Sequence, residues 1–154
     1  SGVMILAKNA DSLSWLQKQF SQRRTKKQYI AITQGIFKQL KAEIDMPIER
    51  NPKKPQTFRV GSNGKSASTT YKVIDSSDKY SFVRLRPFTG RTHQLRVHLA
   101  QLGHPIVGDQ LYGGESADRL YLHAESLEIT LPDKSRKTFS VKVPKQFNNF
   151  MESK

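Results

Sequence analysis

The chain predicts an α+β fold: a mixed, mostly antiparallel sheet flanked by helices. Segments of strand-type alternation outnumber helical ones, and the clearest helical stripe lies inside one polar, glycine-bounded stretch, residues 90–103. At 154 residues it is most simply a single domain, able to bury about 70% of the surface its unfolded form exposes.

Val3–Ala7 is a short apolar run expected to be a buried strand, and Asp11 or Ser12 is placed to cap a helix carrying Leu13, Leu16 and Phe20 on one side. Residues 27–33 read as a strand closed by Gly35, with Tyr29 and Ala31 on one face. Leu40–Ile44 is a second strand. The stretch from Met46 to Pro55, with prolines at 47, 52 and 55, reads as an ordered basic surface loop. Phe58–Val60 and Ala67–Ile74 read as two arms of a hairpin around Asn63-Gly64. From Ser81 to Pro87, Val83 and Leu85 alternate with Phe82, Arg84 and Arg86, giving the sheet one wet, basic face.

In the central stretch Thr92 is the expected N-cap, Leu95, Leu99 and Leu102 the buried stripe, and Gly103 the left-handed stop. At about 100° per residue, His93, Arg96 and Ala100 fall on a flank beside that stripe, so Arg96 is expected half-covered at the core's edge. Residues 120–123 and 127–131 resume strand alternation, Phe139, Val141 and Val143 complete it, and Pro144 opens a short terminal helix.

The chain carries 26 Lys and Arg against 13 Asp and Glu, a formal charge of +13 spread along its length, which points to a polyanionic partner. No apolar run approaches a membrane span, so no membrane partner is expected. Without cysteine, disulfides and thiolate chemistry are excluded. No secretory signal is visible, and cytoplasm is the expected location. Several short patterns fail on spacing: Gly64-Lys65-Ser66 lacks the upstream glycine of a phosphate loop, His123-Ala124-Glu125 lacks further zinc ligands, and His93 and His98 stand five apart, off one helical face. No metal is expected. Arg84, Arg86, Arg91 and Arg96 could hold phosphates, and Tyr29 could stack on a base.

The run from Gly90 to Gly113 closely resembles the signature of RluA-type pseudouridine synthases, G-R-T-H-Q-I/L-R-V-H followed by G-H-P-I-x-G-D-x-x-Y-G. Similar segments occur in family order at 1–8, 27–31, 47–50, 64–71 and 120–124. The resemblance implies a pseudouridine-synthase fold over residues 1–154 and the isomerisation of uridine to pseudouridine in RNA: a base is flipped out, detached at N1–C1′, rotated and rejoined through C5 without a cofactor. It implies that Tyr29 stacks on the target base, that Arg96 pairs with the catalytic aspartate, that Arg91, His93 and Gln94 shape the pocket or hold the flipped strand, and that Leu122 lines the base site. Arg84 and Arg86 add RNA contacts.

In the family that aspartate lies in H-R-L-D-x-x-T-S-G, which would place it just before Ser1. The expectation is therefore an N-terminally truncated catalytic domain, inactive alone and monomeric, whose parent acts on RNA, rRNA in preference to tRNA. Asp109, part of the loop motif, is expected to be structural. The alternative is a non-catalytic RNA-binding or RNA-chaperone module that keeps the fold.

Overall fold

The computed structural model describes residues 1–153. Helix α1 (Ala10–Ser21) starts two to three residues ahead of expectation. Asn9, extended at φ −153°, is its cap, and its side chain accepts the Ser12 amide, a geometry unavailable to Asp11 inside the helix. The expected strand at Val3–Ala7 does not form. The chain there is extended but makes only one parallel bridge, Gly2 to Ala124, so its side chains alternate: Met4 and Leu6 stand in solvent while Val3, Ile5 and Ala7 pack near Leu16, Leu127 and Ile129.

Strands β1 (Lys26–Gln34), β2 (Lys41–Asp45), β5 (Ser68–Ser76), β6 (Tyr80–Pro87), β7 (Leu122–Thr130) and β8 (Arg136–Ser140) form one sheet in the order β2-β5-β6-β1-β7-β8. Every pairing in it is antiparallel. The other two strands, β3 (Ile48–Arg50) and β4 (Phe58–Val60), form a separate ribbon. The predicted hairpin between Phe58–Val60 and Ala67–Ile74 is thus replaced by two different pairings. Ile48, Phe58 and Val60 are drawn to Val97, Ala67 and Tyr112, and that small cluster turns part of the supposed loop at Met46–Pro55 into a strand.

The two alternating segments near residues 120–131 are one strand, β7. Gln28 faces Ser126 whereas Tyr29 faces Ala124, so Glu125 is the extra residue of a bulge, and the bulge shifts the alternation that had suggested two strands. Strand β8 forms the far edge and all five of its residues are exposed. The expected last strand through Phe139, Val141 and Val143 is cut short: β8 stops at Ser140 and leaves Val141 and Val143 beyond its end.

Register sorts the sheet into two faces. Tyr29 lies opposite Leu85, and Ala31 opposite both Val83 and Leu122, so these share one face. Helix α2 (Gln94–Gln101) covers it with Leu95 and Leu99, each burial worth about 1.5–3 kcal/mol. Phe82, Arg84 and Arg86 alternate onto the other face. There Phe147 of α3 (Lys145–Glu152), a helix opened by Pro144 as expected, packs among Phe82, Tyr121 and His123. Among the described residues no helix is long and apolar enough to cross a membrane.

Candidate active site

On the α2 face, a cavity of about 270 Å³ is lined by Lys27, Tyr29, Arg91, His93, Gln94, Arg96 and Leu122, together with Pro87, Thr89, Gly90 and Leu95. Tyr29 and Leu122 come from adjacent strands, and the other predicted residues from α2 and the turn before it. Six residues chosen from sequence thus converge, drawn from segments up to 93 positions apart. Two do not. Arg84 and Arg86 lie across the sheet, where Arg86 Nε donates to Gln28 Oε1 at 2.8 Å, Gln28 Nε2 donates to Glu125 Oε2 at 2.7 Å, and Arg84 Nε stands 3.6 Å from the same carboxylate. Strand alternation puts them there: the residues flanking Leu85 must face away from the side Leu85 occupies.

The start of α2 also differs from expectation. Its N-cap is His93, in the left-handed region at φ 55°, and no side chain caps the helix. Gln94 takes up the slack from inside. Its Oε1 accepts from Thr89 Oγ1 (2.7 Å) and the Arg91 amide (2.9 Å), and its Nε2 donates to the Ser68 carbonyl and Thr69 Oγ1 (both 2.9 Å). All four of its hydrogen-bonding positions are filled and it is 4% exposed, so it shapes the cavity and has nothing left to offer an RNA strand. The network continues inward. His98 Nε2 lies 3.0 Å from the Met46 carbonyl and so donates, leaving Nδ1 to accept from Thr69 at 3.1 Å. Burial pushes this imidazole below its ordinary pKa, consistent with a neutral ring.

Arg96 is half-covered, as the helical wheel required, but it is already engaged. Its Nε and Nη2 grip Asp109 Oδ2 and Oδ1 at 2.8 and 2.6 Å, and its guanidinium carbon lies 4.7 Å from the centre of the Tyr112 ring. The expectation that Arg96 has no acid partner within these residues is corrected, because Asp109 sits within reach on the loop that α2 runs into, and only the edge of the guanidinium turned away from Asp109 is left for a further acid. Asp109 is 2% exposed, and its hydrogen bonds to Arg96 are the foremost reason the guanidinium is held above its already high pKa.

That loop is wound tightly. A Cβ at Gly108 would collide with the Arg119 carbonyl, and one at Gly114 with that of Ile106, while Val107 is tied to the central strand through the Ile32 carbonyl. Tyr112 Oη accepts the Phe58 amide at 3.0 Å, so its proton is free to point at His93 Nδ1, 2.7 Å away. Burial, then the charge of Arg96, lower the His93 pKa and favour the neutral ring that can accept it.

Sequence reasoning missed Lys27. Period-two spacing puts it on the Tyr29 face, which was the available signal, and its Nζ reaches the Thr89 carbonyl at 3.0 Å. Burial lowers its pKa and raises that of Tyr29, which therefore stays a neutral phenol near pH 7. The cavity presents cations, a phenol and an apolar wall, and no carboxylate among its lining residues. Among the described residues no group of three or more His, Asp or Glu is placed to hold a metal ion.

A fold of this topology with such a cavity has close counterparts. The family model described as RNA pseudouridylate synthase matches residues 1–101. The chain is 40% identical over 158 residues to the ribosomal large subunit pseudouridine synthase D of Borreliella burgdorferi, spanning 99% of this chain and 48% of that protein. It is 43% identical over 157 residues to the dual-specificity RNA pseudouridine synthase RluA of Vibrio parahaemolyticus, spanning 96% and 62%. The solved structure of human RNA pseudouridylate synthase domain containing 1 superposes with a TM-score of 0.79 at 34% identity, covering 90% of this chain and 62% of that one. The chain belongs to the RNA pseudouridylate synthase family, and its α+β fold is the family's. It spans 48% and 62% of the length of the two bacterial relatives.

Proposed function

We propose that the protein isomerises uridine to pseudouridine in RNA, with the base seated in the cavity between Tyr29, Leu122 and Arg96. The observation that carries this reading is the convergence of an aromatic ring, an aliphatic wall and a guanidinium on one small cavity in a chain of charge +13. The reaction breaks N1–C1′ and forms C5–C1′, moving one proton from C5 to N1, so it needs a tight base site and a nucleophile for C1′ but no redox partner. Tyr29 supplies a flat, neutral surface for the flipped base, a contact worth about 1–3 kcal/mol. Arg91 and Lys27 stand at the rim, where phosphates would pass.

The nucleophile is a carboxylate held by the free side of Arg96. Since none lines the cavity, these 154 residues bind RNA but do not turn it over alone. The substrate is rRNA in preference to tRNA, a reading supported by the likeness of the proline-rich stretch Met46–Pro55 and of residues 64–69 to relatives acting on large-subunit rRNA. The test uses RNA carrying uridine tritiated at C5, whose tritium must leave when C5 joins C1′. Release by the protein as its gene encodes it, and none by residues 1–154, is the expected result. Release by the 154 residues would overturn the missing-nucleophile argument, and release by neither would favour an RNA-binding module without catalysis.

A further inference from the structure

We propose that Asp109 and Tyr112 are positioning residues for Arg96: they fix the guanidinium by one edge and one face so that its remaining edge is presented to the reacting nucleotide. This rests on the isomerase reading and goes beyond it, because it assigns a function to the loop that follows α2.

A guanidinium has five N–H donors in a plane. Asp109 occupies the Nε–H and one Nη2–H at 2.8 and 2.6 Å, a side-on fork. The Tyr112 ring covers the plane at 4.7 Å. What remains is the Nη end, with one N–H on Nη2 and two on Nη1 that meet no acceptor among the described residues, on a side chain that lines the base cavity. An arginine held only by its flexible stem would sample many directions, whereas this one has a single orientation left. The holder is itself rigid. Asp109 is 2% exposed, it lies between Gly108 and Gly114 at the two tightest points of the loop, and Tyr112 is pinned by the Phe58 amide and His93.

The arrangement also settles the charge. A lone buried cation beside the cavity would bind any carboxylate or phosphate strongly. With Asp109 in place the pair is close to neutral, and Arg96 discriminates by the direction of its free donors rather than by its charge.

The test is a mutant cycle in the gene-encoded protein, read as single-turnover tritium release at saturating RNA, with RNA affinity measured in parallel. Arg96→Lys keeps the charge but cannot fork, so it should lower the rate by about 100-fold, the scale of losing a positioned donor. Asp109→Asn keeps the shape and should lower the rate by a similar factor without weakening RNA binding. The deciding measurement is the double variant. If Asp109 acts through Arg96, Arg96→Lys with Asp109→Asn should be no slower than the worse single variant within about threefold, whereas independent roles would multiply to about 10⁴-fold.

Multiplicative losses overturn the proposal, as does an Asp109→Asn rate within threefold of wild type. Should Asp109→Asn fail to fold, Tyr112→Leu, which removes the ring from the guanidinium's face, takes its place in the cycle under the same criterion. A wild-type protein that releases no tritium overturns the isomerase reading itself, and this proposal with it.

Discussion

The two faces of the sheet use arginine in opposite ways. On the open face, Arg86, Gln28 and Glu125 form a hydrogen-bonded row at partly exposed positions, and Arg84 joins it only as an ion pair at 3.6 Å, its Nε buried without a hydrogen bond. On the α2 face, Arg96 is locked by two short bonds to an acid that water does not reach. The same residue type is a solvated bracket in one place and an oriented tool in the other. What separates them is whether a helix and a tight loop exclude water from the partner.

That contrast can be broken experimentally. The largest effect is expected for Asp109→Ala, which leaves the Arg96 charge uncompensated beside the core and should cost about 3–5 kcal/mol of stability in urea unfolding. Glu125→Ala, the matching change on the open face, should cost no more than about 1 kcal/mol. Equal losses would mean that burial is not what distinguishes the faces. Next comes Gln94→Leu. It removes the donor to Thr69 Oγ1 and the acceptor of Thr89 Oγ1 and of the Arg91 amide inside the protein, and a loss of about 1–3 kcal/mol is expected by the same measurement.

A smaller effect sharpens the comparison through pH. Burial holds His98 and His93 below the ordinary histidine value of about 6.5, so the unfolded chain binds their protons more tightly than the folded one. The stability they contribute is complete above that ordinary value and is lost as pH falls through their folded values. The urea midpoint should therefore drop between pH 7.5 and 5.5, and the drop should shrink in His98→Gln. The smallest effects concern RNA. Arg84→Ala and Arg86→Ala should each change affinity less than Arg91→Ala, and the log–log salt slope should fall by about 0.7 only where a phosphate contact is lost. A steeper loss at Arg86 would place RNA on the open face.

Much of this was legible in the order of the residues. Local periodicity is enough to find β1 and β6, to set Leu95 and Leu99 on the buried side of α2, to end that helix at Gly103, and to predict that Arg96 would be half-covered, since each follows from the geometry of a single element. Of the six predicted residues that line the cavity, the motif at Gly90–Gly113 names Arg91, His93, Gln94 and Arg96, and the similar segments at 27–31 and 120–124 name Tyr29 and Leu122. Local rules went wrong where a partner had to be chosen. Phe58–Val60 pairs with Ile48–Arg50 because three apolar side chains find Val97 and Tyr112, and no turn rule encodes that. Val3–Ala7 has the composition of a buried strand, but among the described residues the only bridge to the sheet beside it is at Gly2.

The sequence by itself determined which segments are strand or helix and which residues can carry the chemistry, because those depend on neighbours a few positions away. Only the tertiary structure decided that Arg84 and Arg86 stand behind the sheet from the cavity, that Gln94 spends every hydrogen bond inward, and that Arg96 is gripped by Asp109. These outcomes depend on strand order, on a bulge at Glu125 and on a loop folded back against the central strand, and electrostatic partnership is set by distance in space, where thirteen residues of chain can close to 2.6 Å.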